Sequence, residues 1–224
     1  MTMDEYGIRR LILASGSPRR RQLLPLLGLP FVVKAVDVDE RALDREPPTE
    51  MVLRLSQVKA LAVQGARADD LVVAADTVVV LDGSVMGKPT DAEDATRMLR
   101  LLRGRSHVVY SGVSLWHAPR RRMVCQLAES LVWMRDYTDA EIAMYVESGD
   151  PLDKAGAYAI QHPEFDPVSW VDGCWLSVVG LPLCHLSRAL EKFGVLIPAN
   201  VPGSCQAFGQ HECAISSDIL DTVS

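Results

Sequence analysis

The feature that most constrains the fold is the run Leu71–Leu81, which is apolar and rich in β-branched residues along nearly its whole length. A run of this kind is typical of a buried strand. Asp82-Gly83 follows it directly, and this dipeptide predicts a hairpin turn back into Val85 and Met86. The chain should therefore form a sheet with at least one antiparallel strand pair.

Strands and helices are predicted to alternate along the rest of the chain. The further strands are predicted over Leu11–Ala14, Phe31–Val36, His107–Trp116, Met123–Met134 and Val168–Val179. Helices are predicted from Ser17 to near Gly28, over Thr49–Ala66, from Thr90 to near Gly104, from Thr138 to near Gly149 and over Pro182–Phe193. Crossover helices together with hairpins predict an α/β fold with a mixed sheet and flanking helices.

The ends of three helices carry recognisable signals. Ser17 can cap the first helix, with Pro18 at its first position, whereas Pro25 inside that helix should kink it. The pairs Thr90 with Glu93 and Thr138 with Glu141 have the spacing of capping boxes. From about Pro198 to Ser224 the apolar periodicity is lost. We therefore expect an ordered domain over residues 1–197 and an irregular, loosely held tail over 198–224.

Composition excludes several functional classes. The chain has 224 residues, enough for one large domain or two small lobes, and 48% of them are hydrophobic, which argues against disorder. A net charge of −6 argues against general binding of nucleic acid. No apolar run approaches the roughly 20 residues of a membrane helix, and the N-terminus has the pattern of a first strand instead of a signal peptide. We expect a cytoplasmic protein that binds neither nucleic acid nor membrane.

The cysteines are odd in number and match no zinc or disulfide spacing, so they are interpreted as mostly buried thiols in a reducing compartment. They are Cys125, Cys174, Cys184, Cys205 and Cys213.

The segment Ser15–Arg21 follows a predicted strand and opens a predicted helix. Free backbone amides, the positive end of the helix dipole and three arginines would meet there, and the small residues Ser15 and Gly16 would let a phosphate approach the backbone. The alternative is that Ser17 and Pro18 only cap the helix and the arginines face solvent. The lysine pattern of a P-loop is absent from the sequence.

Asp76 interrupts the apolar run Leu71–Leu81. Aspartate is depleted in strands, and a buried carboxylate is costly unless it is paired or binds a metal. Asp76 is therefore either a general base or metal ligand in a rigid place, or an edge residue that faces water.

Lys59 falls inside the apolar face of the helix Thr49–Ala66, seven residues after Val52 and four after Leu55. It either snorkels out to solvent or meets a buried anion. Lys88 lies on a loop after the hairpin partner of the Asp76 strand, and Asp37–Glu40 places carboxylates after the second strand. Those carboxylates suit Mg²⁺ or a solvated turn, and the turn is the preferred interpretation of Asp37 and Asp39.

Together these residues resemble the Maf family of nucleoside triphosphate pyrophosphatases over about residues 10–194. The motifs that carry the resemblance are Leu13–Arg20, Lys59, Ala75–Thr77, Gly87–Pro89, Asp153–Tyr158, Ile160-Gln161 and Val179–Leu183. The resemblance implies two lobes around a cleft, as in inosine triphosphate pyrophosphatases. It also implies hydrolysis of a nucleoside triphosphate to the monophosphate and pyrophosphate, assisted by a divalent cation, Mg²⁺ or Mn²⁺.

The resemblance also implies roles for single residues. Asp76 takes the position of the catalytic base, and Glu40 matches an acidic position that could hold the metal together with Asp76. The phosphate-binding positions are Ser15, Ser17, Arg19, Arg20, Lys59 and Lys88. Three positions differ between subgroups, and Arg19, Thr77 and Gln161 look like the subgroup that acts on dTTP and UTP. The 7-methylGTP subgroup carries tryptophan, glutamine and glutamate there.

Two departures from the family pattern bear on these expectations. His162–Pro167 stands where the family has a short glycine-containing turn, and could reshape the base pocket. The tail after Phe193 is longer than usual and could serve contacts in a homodimer. Two other functions are carried forward, a 7-methylGTP pyrophosphatase of the same fold and a non-catalytic nucleotide-binding regulator of cell division.

Overall fold

The computed structural model describes residues 6–221. Its strands are β1 (Arg10–Leu13), β2 (Phe31–Val33), β3 (Asp70–Leu81), β4 (Ser84–Met86), β5 (Ser106–His117), β6 (Arg122–Met134) and β7 (Val168–Gly173). Its α-helices are α1 (Pro18–Leu23), α2 (Pro48–Leu61), α3 (Ala92–Leu102), α4 (Asp139–Glu147), α5 (Trp175–Val179), α6 (Leu183–Glu191), α7 (Val201–Gly209) and α8 (Ser216–Asp221). Short 3₁₀ turns cover Leu24–Leu27, Asp150–Asp153 and Ala155–Ala157.

The strands of residues 6–221 form one seven-stranded sheet in the order β2-β1-β3-β5-β6-β7, with β4 paired to β3. The pairs β2-β1 and β1-β3 are parallel, and the pairs of β3 with β4 and β5, of β5 with β6 and of β6 with β7 are antiparallel. The predicted α/β fold with a mixed sheet and flanking helices is therefore confirmed.

The sheet has an opening beside the middle of β3. One edge of β3 pairs with β5 over residues 72–80. The opposite edge pairs with β1 at residues 70–73 and with β4 at residues 79–81. Residues 74–78 of that edge consequently lie between the ends of β1 and β4, which both stop there. The loops that follow these two strands begin on opposite sides of the opening, and this arrangement accounts for the predicted cleft.

The two faces of β3 carry different layers. Because side chains alternate along a strand, even-numbered residues point to one face and odd-numbered ones to the other. The even-numbered Val72, Ala74, Val78 and Val80 pack in clusters that include residues of α2. The odd-numbered Leu71, Val73, Ala75 and Val79 belong to the main core with α3 and α6.

Helix α2 packs very closely on β5. A Cβ placed on Gly112 of β5 would lie 2.7 Å from the carbonyl oxygen of Val52. Gly112 pairs with Asp76 across the β3–β5 ladder. Because glycine has no side chain, Gly112 lets α2 approach the sheet directly beside Asp76.

The structure corrects three predicted helix boundaries. The first helix ends at Leu23, and Pro25 lies in the first turn of the 3₁₀ segment that follows, so no interior hydrogen bond of a helix is lost. Helix α2 ends at Leu61 instead of Ala66. Asp91, not Thr90, caps α3, because its carboxylate accepts from the N–H of Asp94 at 2.8 Å. The capping box of Thr138 and Glu141 is confirmed.

The prediction of a strand over Val168–Val179 is wrong in its second half. Strand β7 ends at Gly173, whose φ of 127° favours glycine, and Trp175–Val179 forms α5. Buried Ser130 holds the junction, since its Oγ donates to the Cys174 carbonyl and accepts from the Cys174 N–H. Strand β2 likewise ends at Val33 instead of Val36.

The prediction of an irregular, loosely held tail is wrong for residues 201–209 and 216–221, which form α7 and α8. Asn200 caps α7 by accepting from the Gly203 N–H at 3.2 Å. Val201 and Cys205 are buried in the main core. Packing of one apolar face on the core stabilises this short helix, although its glycine and serine content gave little helical signal.

Three of the five cysteines, Cys174, Cys184 and Cys205, are buried thiols, and Cys125 and Cys213 are half-buried thiols. Burial raises the pKa of Cys184 to about 11 and that of Cys205 to about 12. Within residues 6–221, no helix has the length and apolar character needed to cross a bilayer.

Candidate active site

A cavity of about 600 Å³ lies at the opening beside β3. Its wall comes from the loops after β1 and β4, from α2, and from the segments around residues 153–161 and 178–180. All the site residues predicted from the sequence line this one cavity: Ser15, Ser17, Arg19, Arg20, Glu40, Lys59, Asp76, Thr77, Lys88 and Gln161.

Asp76 and Lys59 form a buried ion pair at the base of the cavity. Asp76 is 7% exposed on the α2 face of β3, and Lys59 of α2 is 8% exposed. The Lys59 Nζ donates to Asp76 Oδ1 at 2.5 Å and lies 2.6 Å from Glu40 Oε1. The structure therefore supports the interpretation of Lys59 as the partner of a buried anion and of Asp76 as a buried carboxylate.

Glu40 reaches the same ammonium from the loop after β2, and its side chain is 52% exposed. Partial burial acts to raise the pKa of the Glu40 carboxyl, but the hydrogen bond from Lys59 and the charges of Lys59, Lys88 and Arg20 outweigh it, so the pKa is lowered. Two carboxylates thus converge on one ammonium group.

Arg20 lies on the opposite face of β3. Its guanidinium donates to three neutral oxygens: Nε to the Gly180 carbonyl at 2.8 Å, Nη1 to Ser15 Oγ at 3.4 Å and Nη2 to Thr77 Oγ1 at 3.4 Å. Burial lowers the pKa of Arg20, against the raising effect of Asp76, yet an arginine remains protonated. A cation held by neutral acceptors at a cavity wall is suited to bind an anion.

The loop after β1 is held by its own side chains. Ser15 is buried, and its Oγ accepts from the Ser17 N–H at 3.1 Å as well as from Arg20. Arg19 Nη1 lies 3.6 Å from Asp153 Oδ1 on the facing wall. Lys88 and Gln161 are exposed and line the cavity mouth from the loops after β4 and Ala157.

Lys154 is a cavity residue that lies in the motif Asp153–Tyr158 but received no role of its own from the sequence. It is buried, and its Nζ donates to Asp150 Oδ1 at 2.8 Å and to Asp153 Oδ1 at 2.6 Å. Asp153 in turn contacts Arg19. The spacing of four residues between Asp150 and Lys154 is the one signal that could have indicated this ion pair.

The segment His162–Pro167 is held by Arg135 and by Tyr145 of α4. Arg135 donates to the carbonyl oxygens of Asp166 at 2.8 Å and Phe165 at 2.7 Å, and the Phe165 ring stacks on Tyr145 with centroids 4.3 Å apart. In the part of the chain that the structure describes, this stretch of the cavity wall ends at Gln161. Residues 162–167 therefore do not themselves line the cavity.

No group of three or more His, Cys, Asp or Glu side chains within residues 6–221 is arranged to hold a metal ion. Asp76 and Glu40 are two carboxylates whose oxygens already surround one cation, the Lys59 ammonium. Carboxylate oxygens are the protein ligands that Mg²⁺ prefers, and Mg²⁺ commonly takes only one or two of them together with substrate phosphates. The donor set therefore fits a divalent cation that is completed by a ligand.

Comparison with known proteins identifies the family. A family model described as Maf-like protein matches residues 10–193. The dTTP/UTP pyrophosphatase of Pelotomaculum thermopropionicum is 45% identical over 187 residues, which cover 84% of this chain and 98% of that protein. The dTTP/UTP pyrophosphatase of Anaeromyxobacter dehalogenans (strain 2CP-C) is 48% identical over 200 residues, which cover 86% of this chain and 98% of that protein.

Among solved structures, that of the Staphylococcus aureus Ham1 protein matches 82% of this chain and 95% of its own, with 15% identity and a TM-score of 0.42. A match of that strength does not by itself establish a common fold. The family model and the relatives, which span most of the chain, show that the chain belongs to the Maf family.

Proposed function

We propose that this protein hydrolyses dTTP and UTP to the corresponding monophosphate and pyrophosphate. The observation that carries the proposal is the position of Asp76, a buried carboxylate at the base of a cavity whose walls also present Lys59, Arg20 and Lys88. The name of the relatives, which the chain matches over nearly their full length, supports the same reaction and the same substrates.

In this reaction the oxygen of a water molecule attacks the α-phosphorus, and the bond from that phosphorus to the bridging oxygen of the β-phosphate breaks. Asp76 accepts the proton of the water as general base. The ion pair with Lys59 fixes the direction of this carboxylate. The released group leaves as pyrophosphate.

Positive side chains neutralise the phosphate charge that develops during the attack. Arg20 is already held by three neutral acceptors, so it needs little reorganisation to bind a phosphate. Arg19 and Lys88, which line the same cavity, are assigned to phosphate binding as well, and Ser15 and Ser17 belong to the loop that contacts Arg20.

A divalent cation, Mg²⁺ or Mn²⁺, is part of the proposal, and Asp76 and Glu40 are the residues that would hold it. It would supply Lewis-acid stabilisation of the phosphate oxygens. The single charge of Lys59 offsets only part of the charge of the same two carboxylates.

Base selection is assigned to Arg19, Thr77 and Gln161. The Gln161 amide both donates and accepts hydrogen bonds, which suits a pyrimidine edge with carbonyls and an N–H. A cytoplasmic location and a homodimer both stay predictions.

Release of pyrophosphate from a panel of nucleotides tests the function. With Mg²⁺ or Mn²⁺, dTTP and UTP should show the highest kcat/KM in a panel that includes CTP, GTP and 7-methylGTP. Asp76→Asn should lower turnover about 10²–10⁴-fold, while Asp82→Asn in the exposed turn between β3 and β4 should leave it unchanged. Preference for 7-methylGTP would overturn the substrate assignment. Binding of nucleotides without any release of pyrophosphate would instead favour a regulator.

A further inference from the structure

Ser111 is buried beneath the cavity wall and contacts a residue that lines it. It lies on β5 directly opposite Thr77 of β3 and is fully buried. Its Oγ donates to the carbonyl oxygen of Ser177 at 2.7 Å and lies 2.8 Å from Thr77 Oγ1. Ser111 therefore links β3, β5 and α5 at one point below Arg20.

The direction of the hydrogen bonds that join Thr77, Ser111 and Ser177 follows from the number of protons that each group can donate. A serine hydroxyl has one proton, and a carbonyl oxygen can only accept. Because the Ser111 proton points to the Ser177 carbonyl, Ser111 Oγ must accept from the Thr77 hydroxyl. The Thr77 proton thus points away from the cavity, and Thr77 Oγ1 presents only lone pairs to it.

Arg20 uses one of those lone pairs. Its Nη2 donates to Thr77 Oγ1 at 3.4 Å, its Nη1 donates to Ser15 Oγ and its Nε donates to the Gly180 carbonyl. A guanidinium has five N–H groups, so one N–H on each terminal nitrogen is left for a ligand. Without Ser111 the Thr77 hydroxyl would lose its acceptor, and the side chain would no longer be held in the rotamer that brings Oγ1 to Arg20.

We propose that Ser111 is a positioning residue that acts through Thr77: it fixes the Thr77 hydroxyl as an acceptor and so keeps Arg20 oriented toward the phosphates of the substrate. The inference rests on the proposed function, since it assigns to Arg20 the binding of a triphosphate. It also requires that any substrate group in contact with Thr77 Oγ1 be a hydrogen-bond donor.

Ser114 provides a matched control. It lies on the same strand, is equally buried, and its Oγ is 2.7 Å from Ser56 Oγ on α2, away from Arg20. Ser111→Ala should lower kcat/KM for UTP and dTTP about 10-fold, mainly through kcat, because misorientation of Arg20 affects the transition state most. Ser114→Ala should change kcat/KM by less than about twofold at a comparable loss of stability in urea.

A double-mutant cycle separates positioning from general loosening of the core. Thr77→Val already breaks the Ser111–Thr77–Arg20 hydrogen bonds, so adding Ser111→Ala to that variant should leave its kcat unchanged. Ser111→Cys, which keeps a weak donor of similar size, should lose less activity than Ser111→Ala and serves if the alanine variant does not fold. Equal losses in the two serine variants, or additive losses in the cycle, would overturn the proposal.

Binding of inorganic pyrophosphate, measured by calorimetry, keeps this test separate from that of the reaction. If the wild-type protein releases no pyrophosphate from dTTP or UTP, the proposed function fails. The positioning role of Ser111 still predicts weaker binding of pyrophosphate to Ser111→Ala than to Ser114→Ala. Equal affinities of the two variants would overturn that role.

Discussion

Substitution of Lys59 by methionine should destabilise the fold more than substitution of Asp76 by asparagine. After Asp76→Asn, the Lys59 ammonium keeps Glu40, whose Oε1 lies 2.6 Å away. After Lys59→Met, the Asp76 carboxylate stays buried beside a second carboxylate, and both have lost the cation that they share. The pair is therefore asymmetric, because Asp76 has one direct cationic partner and Lys59 has two anionic ones.

The magnitudes follow from burial. Removal of one partner from a buried ion pair costs about 3–5 kcal/mol. The cavity is open to water and Glu40 is half exposed, so we expect about 2–3 kcal/mol for Lys59→Met. Asp76→Asn retains an acceptor oxygen and should cost about 1 kcal/mol. Arg97→Met, which breaks a surface pair with Asp94, is the control and should leave the urea midpoint nearly unchanged.

Urea unfolding in the presence of a chelator measures these differences, provided that the slope m is the same for all variants. The double variant Lys59→Met/Asp76→Asn should be more stable than Lys59→Met alone, since the second change removes the charge left without a partner. The reasoning is refuted if Asp76→Asn costs as much as Lys59→Met, or if the second substitution destabilises the first variant further.

Three other predictions concern packing and pH. Gly112→Ala should destabilise the protein by about 1–3 kcal/mol in urea, because its Cβ would lie 2.7 Å from the Val52 carbonyl oxygen. Truncation after Ile197 removes Cys205 from the core and should lower the Tm, whereas an unchanged Tm would show that α7 is only loosely attached. Burial lowers the pKa of His107 to about 4, below its ordinary 6.5. The contribution of neutral His107 to the free energy of unfolding is therefore complete above pH 6.5 and is lost as the pH falls toward 4. His107→Gln should make the urea midpoint depend less on pH between pH 7 and 5.

The sequence predicted the strands well where the apolar pattern was long. Strand β3 matches the run Leu71–Leu81 within one residue, and β5 and β6 were expected within one residue of their ends. Trp175–Val179 was predicted as strand because a run of five apolar or small residues is too short for its periodicity to distinguish a strand from a helix. The turn at Gly173 and the contacts of Ser130 decide the conformation there, and neither is visible in the local pattern.

The candidate site was predicted residue by residue, but its connections were not. Asp76 and Lys59 were conspicuous because a charged residue in an apolar pattern needs a partner. Ser111 gave no such signal, since a serine in a strand is ordinary, and for Lys154 only the spacing from Asp150 indicated a partner. Their roles depend on the β3–β5 register and on which loops close the cavity, and these are properties of the assembled fold.

The opening beside β3 explains how consecutive residues can serve one site from opposite faces of a sheet. Asp76 points to the α2 face and meets Lys59, whereas Thr77 points to the other face and meets Arg20. In a continuous sheet a neighbouring strand would separate these two faces, but β1 and β4 both stop before residues 74–78, so a single cavity reaches both. A slip of β3 by one residue would exchange the two side chains and bring Asp76 to Arg20. The long ladder with β5, the close approach of α2 at Gly112 and the Thr77–Ser111 hydrogen bond all oppose such a slip. The same contacts that stabilise the sheet therefore hold the Asp76 carboxylate and the Arg20 guanidinium in their relative positions.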